Sequence, residues 1–475
     1  MIQVKVICLQ GEVILYVKTY LRTLILLSGM LFFTQPVFAV EQVPSSPALA
    51  AQEQKTDIQE TTAPPQARPA LPPAMKEKLD QELAGMIGTS GAKVPGVSVI
   101  VYKDGQEVYE GAFGRRRIDY ANPANNYPMT TDSLFRVASL SKLYTTLGVM
   151  QLVDEGAIDL DADASQYLGF NLRHPAYPDT PITVRMIASH TSGVRDSAGY
   201  FLPPYQPISS LFYRTSPAYC VYTQAPGSYF TYANLNFGLL GTIIERVSGQ
   251  RFDEYERTHI LKDLDTDADF FPAKMPYETW QRLGSIYRGT GGYYATADKP
   301  RTYQPTTDNI YGYSLAGYQI GSNGTLFGPQ GALRISVKGL GNTLEMLMND
   351  GWFHGKQVVS ANSIQEMTKA QWIYNGHNGG TFGGTLLSYG LGMYQIDGGS
   401  TARFCRDIHV DLVGHTGEAY GALTGLFFQP GTRNGFAYII NGEAMSESAG
   451  HGQFSGNLIW EENIMNLLCQ AMLSK

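Results

Sequence analysis

Alternating apolar runs stand at both ends of the region from residue 75 onward, and they constrain the fold most strongly. Near the start they predict strands at 97–102 and 107–112, joined across Asp104-Gly105, a dipeptide typical of hairpins. Near the end they predict strands at 390–396, 408–413, 422–428 and 436–440. We therefore predict an α+β fold, with one antiparallel sheet built from both termini and flanked by helices. A helix-rich lobe is inserted at roughly 150–330.

The residues before 75 differ in composition from this region. Lys18 and Arg22 precede the apolar stretch 24–33, and small residues follow at 37–39, which predicts a signal peptide over 1–39. The apolar stretch is short for a membrane span, so contact with a membrane is expected only if the signal stays uncleaved. Residues 40–74 are rich in Pro, Ala and Gln and predict a disordered linker. We expect a catalytic domain at 75–475 and a periplasmic or secreted location.

Charge and cysteine content exclude several classes of protein. The net charge is −7 with no long basic run, so nucleic acid is not expected as a partner. Cys220, Cys405 and Cys469 follow the predicted signal without the short spacing of a zinc site. They allow at most one disulfide, and its pairing stays open. His409 and Asp411 alternate with His415, but this pattern is too common to indicate a metal, and we expect neither metal nor cofactor.

The segment around Ser139 and Lys142 is the strongest chemical signal. Apolar residues follow it at helical spacing: Leu143, Leu147, Met150 and Val153. Ser139 is therefore predicted in the first turn of a helix, where residues three apart share a face and Lys142 can reach its hydroxyl. A desolvated lysine can help to remove the serine proton, and free N–H groups at a helix start can stabilise an oxyanion. Ser-x-x-Lys alone is more often a solvated helix start.

Four blocks in order make the signal specific. They are Ser139-Leu140-Ser141-Lys142, the segment ITVRMIASHTSG at 182–193, Tyr232-Ala233-Asn234 and His415-Thr416-Gly417. In these blocks the chain resembles the family of class C β-lactamases, low-molecular-weight penicillin-binding proteins and related esterases and D-aminopeptidases. The resemblance covers essentially everything from residue 75 onward.

The resemblance implies a role for each matching residue. Ser139 would attack a carbonyl carbon, while Lys142 and Tyr232 would take its proton and return it to the leaving group. Asn234, His415, Thr416 and Gly417 would bind substrate. The backbone N–H groups of Ser139 and Glu418 would form the oxyanion hole. His190, inside the second block, is expected to be a packed loop residue and not a base.

Two of these residues have structural alternatives. Asn234 stands before an amphipathic helix and could cap it, since Asn is a preferred cap residue. Tyr232 is a sensible acid/base only if a cation lowers its pKa, and Lys142 is the obvious source of that cation. Glu418 could meet a cationic substrate, or it could contribute only its N–H while its side chain points to solvent.

His415 departs from the family pattern. β-Lactamases and DD-peptidases usually carry lysine there, whereas the esterases often carry histidine. A histidine is mostly neutral at pH 7, so strong recognition of a penicillin-like carboxylate is not expected. If His415 contacts substrate, carboxylate-bearing substrates should be turned over better at pH 5.5 than at pH 8.

Three functions fit the sequence. The first is an exported serine hydrolase that cleaves an ester or amide through a Ser139 acyl-enzyme. Its substrate would be a small molecule or peptide, with D-amino-acid peptides, cell-wall fragments and β-lactams as candidates. The second is a true β-lactamase or DD-peptidase. The third is a non-catalytic descendant that binds peptidoglycan or a protein, although such a module has no need of Ser139, Lys142 and Tyr232 together.

Overall fold

A computed structural model describes residues 71–301 and 303–474. It also describes the backbone of two strands, Val4–Leu9 and Glu12–Val17, which pair antiparallel with each other. The core of the predicted signal peptide at 24–39 and the predicted linker up to residue 70 lie outside the described residues. None of the described helices is long and apolar enough to cross a membrane.

A nine-stranded sheet forms the centre of the described domain. Its strands, in chain order, are β1 (Gly96–Lys103), β2 (Gln106–Arg117), β3 (Tyr127–Pro128), β4 (Trp372–Ile373), β5 (Ser388–Tyr389), β6 (Tyr394–Ile396), β7 (Leu412–Ala419), β8 (Ala422–Phe428) and β9 (Gly435–Ile440). Their spatial order is β4-β5-β6-β7-β8-β9-β1-β2-β3, and all pairs are antiparallel. The first and last segments of the domain therefore meet in one sheet, as predicted.

Helices cover both faces of this sheet. The longer ones are α1 (Pro73–Gly85), α2 (Ser141–Asp154), α3 (Asn234–Ser248), α4 (Val337–Met348), α5 (Ala361–Thr368) and α6 (Ile459–Met472). Short helices lie at Ser165–Leu168, Val184–Ala188, Phe252–Tyr255 and Tyr277–Trp280. α1 and α6 pack together on one face, and α4 packs on β8, β9 and β1 on the other. α2 and α3 pack against each other in the inserted lobe, which confirms the predicted fold class.

The boundaries of several elements differ from the predictions. The strand predicted at 390–396 is interrupted by a turn, so that only its last three residues form β6. The strand predicted at 408–413 begins at Leu412 and continues through His415 to Ala419. α1 begins at Pro73, inside the predicted linker, since Pro is compatible with the first turn of a helix. Leu71, just before it, is also buried.

Two layers of apolar packing hold the sheet between the helices. One layer joins the sheet to α1 and α6, and the other joins it to α2, α3 and α4. α2 is buried on nearly all sides, because α3 covers it on one side and the Ser139 end meets β7 on the other. A helix enclosed in this way places its first turn firmly against the sheet.

One disulfide fixes the carboxyl-terminal helix. Cys405 and Cys469 are bonded, whereas Cys220 is free and buried. Cys469 lies in α6, so the bond ties that helix to the segment that precedes β7. Sequence spacing left the pairing open, and the fold decides it.

The Glu256 side chain is buried at the start of a π-helical turn, Glu256–Leu261, and no hydrogen bond offsets the burial of its carboxyl. Neither carboxyl oxygen has a hydrogen-bond partner, and a methyl group added at Gly148 of α2 would lie 2.4 Å from one of them. Burial raises the pKa of this carboxyl well above its usual value. The folded protein therefore holds a proton on Glu256 that the unfolded chain releases.

We expect Glu256→Gln to remove this pH dependence of stability. Above the unfolded pKa, the folded state binds one more proton, so the stability of the native protein falls as pH rises. The free energy of unfolding of Glu256→Gln should gain about 1.4 kcal/mol per pH unit relative to the native protein. Urea unfolding at pH 5.5, 6.5 and 7.5 measures the difference. Glu278→Gln, at an exposed position, is the control, and a difference independent of pH would contradict the expectation.

Candidate functional site

Ser139 lies in a tight turn that leads into α2. The turn spans Ala138–Leu140, and Ala138 has a φ of 48°, an uncommon value for a residue with a side chain. Ser139 is partly exposed, although both of its neighbours are buried. The turn therefore presents the serine hydroxyl at the surface of an otherwise closed core.

Strand β7 approaches this turn closely at Gly417. A methyl group added at Gly417 would lie 2.0 Å from the Val137 carbonyl oxygen, which no side chain could tolerate. The Thr424 hydroxyl of β8 donates a 2.9 Å hydrogen bond to the same carbonyl. Glycine at this position thus lets the sheet edge meet the Ser139 turn.

The Lys142 amine is the central group of the site. Its Nζ lies 2.9 Å from the Ser139 Oγ, 2.9 Å from the Asn234 Oδ1 and 2.9 Å from the Gln330 carbonyl oxygen. The side chain is fully buried. Burial lowers the pKa of Lys142 to about 7, and the charge of Asp196 works against this shift. A large fraction of the amine is therefore neutral at pH 7.

Asn234 is the first residue of α3, and its side chain turns towards Lys142 instead of capping the helix. Asp196 caps the helix in its place: one carboxylate oxygen accepts from the Asn234 N–H at 3.0 Å and the other from the Leu235 N–H at 2.9 Å. The Asn234 Nδ2 also donates to Asp196 at 2.9 Å. The alternative of an Asn cap is wrong, because a carboxylate 38 residues away already satisfies the helix start.

Tyr232 lies beside Ser139 and Lys142. The Lys142 Nζ is 4.8 Å from the centre of the Tyr232 ring. Burial raises the pKa of the phenol above its usual value, and a hydrogen bond with Ser139 works against this rise. The expectation that Lys142 lowers the pKa of Tyr232 is wrong, since desolvation dominates. The phenol keeps its proton at neutral pH.

His190 packs against the Tyr232 ring. Its ring centre is 4.4 Å from that of Tyr232, and its Nδ1 accepts from the Ala233 N–H at 3.1 Å. The residue is fully buried, and burial holds the pKa of its ring well below the usual value. His190 is thus a packed residue in the described structure, as predicted, and it positions the segment that carries Tyr232.

His415 is buried and held in one orientation. The Tyr389 hydroxyl lies 3.1 Å from its Nε2, and its Nδ1 contacts the Thr416 carbonyl oxygen. A carbonyl can only accept, so Nδ1 carries the proton and Nε2 accepts from Tyr389. Burial, together with the charge of Lys142, lowers the pKa of His415 to about 3.

His415 therefore stays neutral at pH 5.5 as well as at pH 8. The expectation of better turnover of carboxylate-bearing substrates at pH 5.5 loses its basis, because the imidazole does not titrate between those values. Both ring nitrogens are also occupied by protein groups.

Thr416 and Glu418 alternate with His415 and Gly417 along β7 and so point to the opposite face of the sheet. The Thr416 Oγ1 accepts from the Tyr394 hydroxyl at 2.7 Å. Glu418 hydrogen-bonds with Glu447, and partial burial together with this carboxyl raises the pKa of Glu418 to about 7. The Glu418 carboxyl is thus directed away from Ser139. Its N–H stays a predicted member of the oxyanion hole.

The remaining expectations concern metal ligands. His409 and Asp411 precede β7 and do not lie on a strand with His415, so the alternation assumed for them is absent. Within residues 71–474, apart from Thr302, no group of His, Cys, Asp and Glu could hold a metal ion.

Three contacts of the site were missed by sequence reasoning. Asp196 follows the second block closely but has no spacing that links it to α3. Gln330 acts through its carbonyl oxygen, which any residue could supply. Tyr389 orients His415 from the neighbouring part of the sheet.

Comparison with known proteins now identifies the family. The sequence profile of the beta-lactamase family matches residues 76–453. The chain belongs to the beta-lactamase family. The resemblance seen in the four blocks is thereby confirmed.

Curated relatives in this family align with parts of the chain. The D-alanyl-D-alanine-carboxypeptidase/endopeptidase AmpH of Escherichia coli is 30% identical over 37% of this chain and 44% of its own length. Penicillin-binding protein 4 of Amycolatopsis lactamdurans is 27% identical over 74% of this chain and 81% of its own length. The chain thus spans less than half of the length of the first of these relatives.

A solved structure shares the beta-lactamase fold. The beta-lactamase/D-alanine carboxypeptidase of Yersinia pestis has a TM-score of 0.57 at 19% identity and covers 84% of this chain and 98% of its own. At this identity the likeness concerns the fold.

The pKa of Lys142 predicts how Ser139 reactivity depends on pH. Only the neutral amine can accept the serine proton, so the rate of labelling by a fluorophosphonate should rise about tenfold from pH 6 to pH 8, with a midpoint near 7. Rapid-quench labelling followed by intact mass spectrometry measures this rate. Ser139→Ala should not be labelled, and a rate that is flat between pH 6 and pH 8 would contradict the assignment.

Asp196→Asn should move this midpoint to lower pH. The carboxylate raises the pKa of Lys142, and an amide removes its charge while keeping an oxygen that can accept from the α3 N–H groups. The same labelling experiment measures the shift, and circular dichroism checks that the fold is kept. Asp179→Asn, at an exposed position, should leave the midpoint in place. A midpoint that stays in place or moves to higher pH would contradict the assigned action of the Asp196 charge on Lys142.

Proposed function

We propose that the protein is an exported serine hydrolase that cleaves an ester or amide through an acyl-enzyme on Ser139. Ser139 attacks the substrate carbonyl carbon while its proton passes to the Lys142 amine. The N–H groups of Ser139 and Glu418 stabilise the oxyanion that forms. The leaving alcohol or amine departs with a proton, and water then releases the acid and restores Ser139.

The hydrogen-bond environment of Lys142 carries this proposal. A protonated lysine has three N–H donors, whereas the neutral amine has two and a lone pair. Two of the three contacts of Nζ are carbonyl oxygens, those of Asn234 and Gln330, which can only accept. In its neutral form the amine can donate to both carbonyl oxygens and direct its lone pair at the third contact, the Ser139 hydroxyl 2.9 Å away. This geometry suits a base that takes the serine proton.

Tyr232 is assigned to the protonation of the leaving group. Its phenol keeps its proton at neutral pH and lies next to both Ser139 and Lys142. As the leaving group departs, the phenol gives it a proton and recovers one from Lys142. This division of labour makes the lysine the base and the tyrosine the relay.

The substrate is proposed to lack a carboxylate that must be bound at His415. A neutral imidazole with both nitrogens occupied supplies no cation at this position. Esters and amides, including those of D-amino-acid peptides, fit this site better than penicillins. The second candidate, a β-lactamase or DD-peptidase, draws its support from the names of the relatives from Escherichia coli and Amycolatopsis lactamdurans.

Export is supported by two independent features. The segment at 1–39 has the composition of a signal peptide. The Cys405–Cys469 disulfide is typical of oxidising compartments such as the periplasm.

Labelling with two probes tests the proposal. We expect a fluorophosphonate to label the native protein and a fluorescent penicillin to leave it unlabelled. Ser139→Ala should lose the fluorophosphonate label, and Ser228→Ala, an exposed serine, should keep it. Gel fluorescence and peptide mapping measure both labels.

Two outcomes would replace the proposal. Labelling of Ser139 by both probes would favour the β-lactamase or DD-peptidase. Labelling by neither probe, in a protein shown to be folded, would favour the non-catalytic module.

A further inference from the structure

Several exposed aromatic side chains lie close to residues that carry or flank Ser139 and Tyr232. Phe382 is 61% exposed, Tyr420 is 54% exposed and Tyr311 is 50% exposed. Tyr200 and Phe201 are exposed as well. We call Tyr200, Phe201, Tyr311, Phe382 and Tyr420 the aromatic rim. Large exposed rings cost free energy in water, so a cluster of them at one place points to a binding surface.

Ring and charge contacts tie the rim to the site. The Phe382 ring lies edge-on to the Tyr232 ring, with 5.6 Å between their centres. On the other side, the guanidinium of Arg136, three residues before Ser139, lies 5.7 Å from the centre of the Tyr420 ring. Arg136 also hydrogen-bonds with Tyr311. Both sides of the rim are therefore fixed to elements that carry or flank Ser139 and Tyr232.

The rim is continuous on the Arg136 side. The Phe201 ring stands edge-on to Tyr311, with 5.3 Å between their centres. Tyr200 is 40% exposed and lies near Asp196, at the α3 end of the site, and near Tyr420, in the turn after β7.

Three residues of the rim stand at the tips of tight turns. Tyr311, Phe382 and Tyr420 have φ values of 51°, 48° and 60°, and each is followed by a glycine that also has positive φ. Tyr311 and Tyr420 occupy two-residue hairpin turns, a geometry that requires positive φ. The turns therefore place these rings at the surface of the domain.

We propose that the aromatic rim binds an aromatic side chain on the acyl part of the substrate. This inference rests on the proposed function, since it names the substrate class of the same site. Phe382 packs against Tyr232 and Tyr420 packs against Arg136, so a third ring bound beside Ser139 can make edge or face contacts with them. A cationic ligand fits less well, because the Arg136 guanidinium already occupies a position over Tyr420.

Two thioesters of methanethiol test the inference, because their leaving group is small and has no ring. Hydrolysis of the phenylacetyl and acetyl thioesters is followed by thiol release, and the ratio of their kcat/KM values is the readout. The native protein should prefer the phenylacetyl thioester. Phe382→Ala and Tyr420→Ala should each reduce this preference about threefold to tenfold, the range expected for the loss of one aromatic contact.

Control variants show whether a reduced preference comes from the loss of a rim ring, from the loss of apolar bulk or from misfolding. Tyr277→Ala removes an equally exposed tyrosine that stacks on Trp280 outside the rim, and it should keep the native ratio. Phe382→Leu keeps apolar bulk without the ring and should lose part of the preference. Fluorophosphonate labelling of Ser139 in each variant shows whether the site is still formed. If Phe382→Ala is not labelled, Phe382→Leu takes its place in the comparison.

The outcomes distinguish the rim from the proposed function. Hydrolysis of both thioesters with no preference in the native protein, or with a preference that Phe382→Ala and Tyr420→Ala both leave unchanged, would overturn the rim alone. Absence of hydrolysis of either thioester, together with no fluorophosphonate label, would overturn the proposed function.

Discussion

The structure depends on one buried amine, that of Lys142, and on the three oxygens around it. Each oxygen comes from a different part of the chain: the Ser139 turn, the start of α3 and the segment at Gln330. Removing a lysine from water favours its neutral form, and only firm packing of the two lobes can keep it dry. The enclosure of α2 is therefore both the main packing feature of the inserted lobe and the reason that the Lys142 amine is available in its neutral form.

The charged and titratable groups near the Lys142 amine also affect its protonation state. Asp196 lies at the start of α3, where it satisfies the helix and limits the fall in the pKa of Lys142. His415 stays neutral and so adds no second cation beside the amine. The Glu418 carboxyl is turned to the opposite face of the sheet, where it pairs with Glu447. A neutral base surrounded by acceptors and few free charges suits the hydrolysis of uncharged ester and amide groups.

Five of the ten described residues other than glycine with positive φ lie at the site or on the aromatic rim. Ala138, immediately before Ser139, has positive φ, and so has His190 behind Tyr232. The aromatic rim continues this pattern outward with three further residues. The inner turn sets the position of the nucleophile, and the outer turns hold rings exposed to water.

The sequence by itself determined the features that arise from local spacing. The apolar runs that form β1 and β8 are visible in the sequence, and both strands are buried almost throughout. The helix after Ser139 and the closeness of Ser139 to Lys142 follow from a period of 3.6 residues. The family blocks placed Tyr232 and Asn234 beside them. Tertiary structure alone decided the cap from Asp196, the Cys405–Cys469 pairing and the protonation states of the site. These depend on groups far apart in sequence and on burial, which local patterns do not encode.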